Sequence, residues 1–203
     1  MIDWQRIHAA QGVIFDCDGT LVDSMPVHYV AWHRTMSDVG IRFDEDRFYA
    51  LGGMPSHRII QLLSQEQNVA VDALQTAHRK ELAFLELLHL LERIEPVVQV
   101  AEKLRGLKPI AVASGGFREI ILRQLEQVRM ADWFDVVVTA EDTTKHKPEP
   151  DVFLESASRL GVVPEACLVF EDSDLGIEAA RRAGMEWIDV RSFFSPKRIA
   201  VPS

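Results

Sequence analysis

From Pro96 onward, short apolar runs alternate with amphipathic stretches. In VVQVAEKLRG, Val97, Val100, Ala101 and Leu104 fall at i, i+3, i+4 and i+7 ahead of Gly106, which predicts a helix and its stop. PIAVAS then reads as a strand, FREIILRQLEQV as a helix with Ile121, Leu122 and Leu125 on one face, and FDVVVTA as a strand. PDVFLESASRLG predicts a helix with Pro150 near its start and Gly161 past its end; a strand in ACLVFED, a helix in DLGIEAARRAG and a strand in EWIDV follow. GVIFD adds one more strand at the front. Strands without polar alternation, joined by helices over short connections, predict a doubly wound, parallel-sheet α/β core of Rossmann-like type, covered on both faces.

Between the first strand and Pro96 the pattern is helical throughout. VHYVAWHRTMSDVG places Tyr29, Trp32, Met36 and Val39 on one face before Gly40, and SHRIIQLLSQ continues the pattern. VDALQTAHRKELAFLELLHLLERI predicts a long helix on which Phe84, Leu87, Leu88, Leu91 and Ile94 form a core stripe. The expected organisation is therefore an α/β core from residues 1–23 and 95–203, with residues 24–94 inserted as a helical unit after the first strand. The closing RSFFSPKRIAVPS reads as a loosely held tail.

Composition narrows the function classes. Hydrophobic residues make up 47% and charged residues 26%, an ordinary globular balance. The net charge of −9 argues against nucleic acid or an anionic membrane as partner, since both favour a basic surface. MIDWQRIHAAQG is too polar for a signal peptide, and Glu81, Glu86, His89 and Glu92 interrupt the leucine-rich stretch too often for it to span a bilayer. Cys17 and Cys167 sit in apolar runs and read as buried free thiols. A cytoplasmic protein is the expectation.

In an open α/β sheet, ligands bind beyond the carboxyl ends of the strands. Those ends are polar here: VIF runs into Asp16, IAVA into Ser114-Gly115-Gly116, DVVVTA into a loop with Lys145 and Lys147, and CLVF into Glu171-Asp172-Ser173. Asp16, Asp172 and Glu171 together favour a shared hard cation with oxygen ligands, for which Mg²⁺ is the natural choice. Ser114, the Gly115 backbone and Lys147 are suited to hold phosphate oxygens. This is a phosphoryl site, with Asp16 as nucleophile and Asp18, two residues on, as acid/base on the leaving oxygen and then on water.

DCDGTLVDS, AVASGG, KHKPEPDVF and VFEDSDLGIEAARRAGM resemble, in order and spacing, the four motifs of the haloacid dehalogenase superfamily, and the resemblance covers nearly the whole chain. It implies Asp16 as nucleophile, Asp18 as acid/base, Ser114 and Lys147 as phosphate binders, and Mg²⁺ held by Asp16, the Asp18 carbonyl and Asp172 with Glu171 nearby. The helical insertion is similar to that family's small cap, which closes over substrate, and the resemblance implies a monomer. The chain is most similar to the β-phosphoglucomutase-like branch, and within it to phosphatases of the fructose-1-phosphate and 6-phosphogluconate type. In the mutases the cap carries a Gly-x-Ser-Arg pattern; here LGGMPSHRI puts Ser56 at the arginine position and Arg58 two residues later. The expected activity is hydrolysis of a small sugar phosphate, with phosphomutase as the alternative. A phospho-receiver domain is the more distant alternative, disfavoured by the DxD spacing and the insertion. Expected substrate contacts on the cap are His28, Gly53, Ser56, Arg58 and Lys80, with Trp32 nearby and more suited to the core.

Overall fold

The computed structural model describes residues 2–52 and 54–201. Strands β1 (Gly12–Phe15), β2 (Ile110–Ala113), β3 (Val136–Val138), β4 (Cys167–Glu171) and β5 (Glu186–Asp189) form one parallel sheet in the order β3-β2-β1-β4-β5. Phe15, the last residue of β1, pairs with Val112 on one side and Phe170 on the other, so the three central strands end almost level. The chain leaves β1 toward β2 and β3, then crosses back to β4, and this reversal opens a crevice at the end of β1.

Strand alternation divides the core. Val13, Phe15, Val112, Leu168 and Phe170 face one side, against Ile7 of α1 (Trp4–Ala9), Val97, Val100 and Leu104 of α6 (Glu95–Leu104), and Ile121 and Leu125 of α7 (Arg118–Gln127). Ile14, Ala111, Ala113 and Val169 face the other, against Phe153 and Ala157 of α8 (Asp151–Leu160) and Ala179 and Ala180 of α9 (Asp174–Arg182). Both faces are apolar, as the strand composition predicts.

The insertion folds as α2 (Met25–Asp38), α3 (Glu45–Ala50), α4 (Ser56–Gln67) and α5 (Ala73–Leu85) around Tyr29, Trp32, Met36, Phe43, Phe48 and Ile60. Its two connections to the sheet run side by side: Asp23 N donates to Glu92 O, Ile94 N donates to Leu21 O, and Val22 bridges Arg93. No helix among the described residues is long and apolar enough to cross a membrane.

Four features depart from the sequence reading. The expected long helix stops at Leu85, and a single 3-10 turn, Leu88–Leu90, follows. Arg93 donates to the carbonyls of Val128 and Arg129, so the return strand is held by the core and tertiary contacts override the leucines' helix propensity. Helices α1 and α3 were not expected. Each has only six residues, too few to show a period, and is started by a capping aspartate, Asp3 or Asp44. The tail is not loose: Phe193, Phe194 and Ile199 pack on the sheet core, Val201 packs on the insertion core, and Lys197 and Arg198 pair with Glu92 and Asp46.

Candidate active site

Asp16 is the first residue beyond β1. Its N–H donates to Phe170 O at 3.0 Å, which fixes it in the crevice between strands. Its Oδ1 accepts from Lys147 Nζ at 2.7 Å. Lys147, from the loop before α8, also donates to Glu171 Oε2 at 2.8 Å and to Ala113 O at 3.4 Å, and all three charged groups are buried. Glu171 holds this clamp rigid, because its other oxygen accepts from Asp172 N, Ser173 N and Ser173 Oγ. Close approach here requires Gly176: a Cβ at that position would lie 2.0 Å from Glu171 Cδ.

Asp172 follows on the same turn and accepts from Thr20 Oγ1 at 3.2 Å. Gly19 lets the two turns nest: its φ is +79°, and a Cβ there would sit 2.2 Å from Asp172 Oδ2. Asp16, Glu171 and Asp172 each bring a carboxylate oxygen within 4.8 Å of the others'. Burial, and then the charge of Glu171, raises the Asp16 carboxyl to about 8, although Lys147 pulls the other way. Burial and the same carboxylate neighbours raise Asp172. Burial would lower Lys147, but Asp16 and Glu171 raise it, so the ammonium stays charged. Three carboxylates around one ammonium leave the site short of positive charge. An all-oxygen donor set in that condition fits a hard divalent cation.

Asp18 faces the insertion. Its Oδ1 accepts from Ser24 Oγ at 2.6 Å, His28 Nε2 at 3.1 Å and Gln124 Nε2 at 2.9 Å. Burial pushes this carboxyl up, but the hydrogen bonds from His28, Ser24 and Gln124 prevail and hold it well below the usual carboxylate range. The His28 ring stacks on Phe84 with centroids 3.8 Å apart, and its Nδ1 lies 2.9 Å from Lys80 Nζ. Burial and the Lys80 charge lower the His28 pKa, so the ring is neutral, with Nε2 donating to Asp18 and Nδ1 accepting from Lys80. Lys80 continues to Glu81, which accepts from Ser56 Oγ at 3.1 Å.

Ser114 lies just past β2; its N–H donates to Val138 O and its Oγ accepts from Gly116 N at 3.0 Å. Gly115 beside it is exposed. The structure thus brings Asp16, Lys147, Glu171 and Asp172 into one cluster and links Asp18 through His28 and Lys80 toward Ser56. Trp32 meets this row only through Lys80, whose Nζ lies 5.4 Å from its ring centroid; it is 3% exposed and packs edge-on against Phe43 in the insertion's core. Arg58 is exposed on α4, outside the linked row. Gly53 lies outside the described residues. Lys80, an expected substrate contact, is buried and paired with His28 and Glu81 in the linked row.

Sequence reasoning missed Thr20, Ser24, Gln124 and Glu81. Gln124 left a signal: on α7 it shares the buried face with Ile120, Ile121 and Leu125, and an amide among buried aliphatics needs a polar partner.

A family model described as haloacid dehalogenase-like hydrolase matches residues 10–184. A fructose-1-phosphate phosphatase of Escherichia coli strain K12 is 40% identical over 182 residues, covering 89% of this chain and 96% of the relative. A 6-phosphogluconate phosphatase of the same strain is 30% identical over 180 residues, covering 87% and 80%. Among solved structures, a β-phosphoglucomutase from Clostridium difficile superposes with a TM-score of 0.77 at 24% identity, covering 89% of this chain and 84% of that one, a likeness of fold.

Proposed function

Because the chain belongs to the haloacid dehalogenase-like hydrolases, we propose that it is a phosphatase that hydrolyses a small sugar phosphate by way of a phosphoryl group carried on Asp16. The observation that carries this reading is the Lys147 clamp on Asp16, a buried carboxylate aimed by a buried ammonium at the sheet's switch point. Asp16 Oδ attacks phosphorus, and the bond from phosphorus to the sugar oxygen breaks. Ser114 Oγ and the Gly115 backbone receive the phosphate oxygens, and Lys147 offsets part of their charge. Asp18 gives the departing sugar oxygen its proton. It then takes one from the water that attacks the phosphoryl group, and Asp16 is released.

Asp18, its pKa held low by three donors, is suited to be the base of the second step. Leaving its three donors for a place beside the phosphate's negative charge raises its affinity for a proton, which suits it to the first step. Asp16, Asp172 and the Asp18 main-chain carbonyl would hold Mg²⁺, with Glu171 contributing charge from behind. The ion would neutralise charge between carboxylate and phosphate. The helical insertion serves as a cap that excludes water and reads the sugar.

Phosphate release from p-nitrophenyl phosphate and fructose 1-phosphate with Mg²⁺ tests the reading. Asp16→Asn is expected to lower kcat by about 10³-fold or more while keeping the wild-type circular dichroism spectrum. Release by Asp16→Asn at wild-type rate, or none from the wild type, would overturn it.

A further inference from the structure

The chain beyond β5 crosses the joint between sheet and insertion. Two segments make that joint, and they pair: Asp23 N donates to Glu92 O at 2.9 Å, and Ile94 N donates to Leu21 O at 3.0 Å. Lys197 touches both segments. Its N–H donates to Asp23 Oδ2 at 3.4 Å, and its Nζ donates to Glu92 Oε2 at 2.9 Å. The next residue, Arg198, reaches the insertion instead. Its guanidinium pairs with Asp46 Oδ1 at 2.9 Å and with Glu45 Oε2 at 3.5 Å in the first turn of α3, and it lies 5.5 Å from the centre of the Tyr49 ring. One peptide unit thus carries the chain from the joint to the insertion, where Val201 packs among apolar residues. The segment lies beyond residues 10–184, the span of the family match.

These contacts are of a kind that breaks and reforms. Lys197 and Arg198 are exposed, and each of their ion pairs is weak. The arrangement they hold also carries a cost at the same place. Asp23 Oδ1, Glu45 Oε1 and Tyr49 Oη are buried with no hydrogen-bond partner among the described residues, and Lys197 or Arg198 touches all three residues. Lifting the insertion would return those oxygens to water, offsetting part of the apolar burial that lifting forfeits. A few weak contacts suffice to bias a balance of that kind.

We infer that residues 195–201 are a strap that latches the insertion onto the core, with Lys197 as its fixed end at the joint and Arg198 as the end that lets go. When the insertion rotates about the joint, Lys197 stays with Asp23 and Glu92 while α3 moves away from Arg198. The strap sets how much of the time the crevice over Asp16 stands open. This goes beyond the phosphatase reading, because it concerns the position of the insertion whatever the ligand.

Spin labels on Leu74→Cys in α5 and Val163→Cys in the core measure the distance between the two parts. Both positions are exposed, and the buried Cys17 and Cys167 escape labelling. Relative to the labelled protein with its strap intact, Arg198→Ala is expected to raise the lifted-to-seated ratio about 3-fold. Truncation before Ser195 is expected to raise it about 10-fold, since it also removes Ile199 and Val201. Salt at about 1 M, which screens charges beyond about 3 Å, should move the intact protein as Arg198→Ala does and leave that variant unmoved. In turnover, the truncated protein is expected to show a KM for fructose 1-phosphate raised about 10-fold with no loss of kcat, whereas a strap that only stabilised the fold would lower kcat. Distances unchanged by both alterations overturn the inference, as does a lifted population that appears only with loss of the circular dichroism signal. Absence of hydrolysis by the wild type overturns the phosphatase reading alone, and the label distances still decide this one.

Discussion

Gln124 separates a residue's part in stability from its part in catalysis. Its amide N–H donates to Asp18 at 2.9 Å, while its Oε1 is buried without a protein partner. Gln124→Leu removes a useful donor and an unsatisfied acceptor at once, so stability should change by less than about 1 kcal/mol. Catalysis should respond more: kcat is expected to fall about 10-fold as Asp18 loses one of the groups that position it, and a parallel loss of unfolding temperature and kcat would contradict that role. Gly176 behaves oppositely. A Cβ there meets Glu171 at 2.0 Å, so Gly176→Ala is expected to cost about 1–3 kcal/mol in denaturant unfolding. It should also reduce turnover, by displacing the carboxylate that anchors Lys147. The motif residues were legible because their chemistry is written within a few positions of each strand end. Gln124 meets a partner 106 positions away, and no local pattern announces such a pairing.

Among the elements, legibility followed length and burial. Strands β1 to β4 were readable from unbroken apolar runs, as a covered parallel sheet requires, whereas the edge strand β5 carries only Trp187 and Ile188 between two acids and leaves Glu186 exposed. Periodicity placed α2, α4 and α6 to α9, but it overran α5, where the return to the core decides the helix end. It was silent on six-residue α1 and α3. The tail was misread because its polar composition conceals where its apolar residues land. Ile199 packs on the cluster that joins the sheet residues to Val27, Ala31 and Phe84 of the insertion, and Val201 packs on the insertion's own core, so the segment lies along both. Its ion pairs, Lys197 with Glu92 and Arg198 with Asp46, are exposed and contribute little. Truncation before Ser195 should therefore cost about 1–2 kcal/mol, mostly from lost apolar burial. Hydrogen exchange should quicken in α3, next to the removed contacts; unchanged protection there would show that the strap bears no load.

At the scale of the whole molecule, the −9 charge and the crowded carboxylates tie folding to pH and to a cation. In the cation-free protein, Asp16 holds its proton up to about 8, whereas an unfolded aspartate releases it near 3.8. Across that window the folded chain binds more protons than the unfolded chain, so stability falls as pH rises. Asp172 is shifted the same way and steepens the fall. Lys147 is raised above an already high 10.5, so its contribution is fully present throughout the window and leaves the slope unchanged. A divalent cation binds the ionised carboxylates and competes with those protons, so its stabilisation should grow with pH. Thermal unfolding in chelator is accordingly expected to show a falling midpoint between about pH 5 and about pH 8. The upward shift on adding Mg²⁺ should be larger at the alkaline end. In Asp16→Asn, which has no proton to lose at that position, the chelator curve should flatten. A Mg²⁺ shift that shrinks with rising pH would mean that the cation does not bind at these carboxylates, and a chelator curve equally steep in Asp16→Asn would place the titrating group elsewhere in the fold.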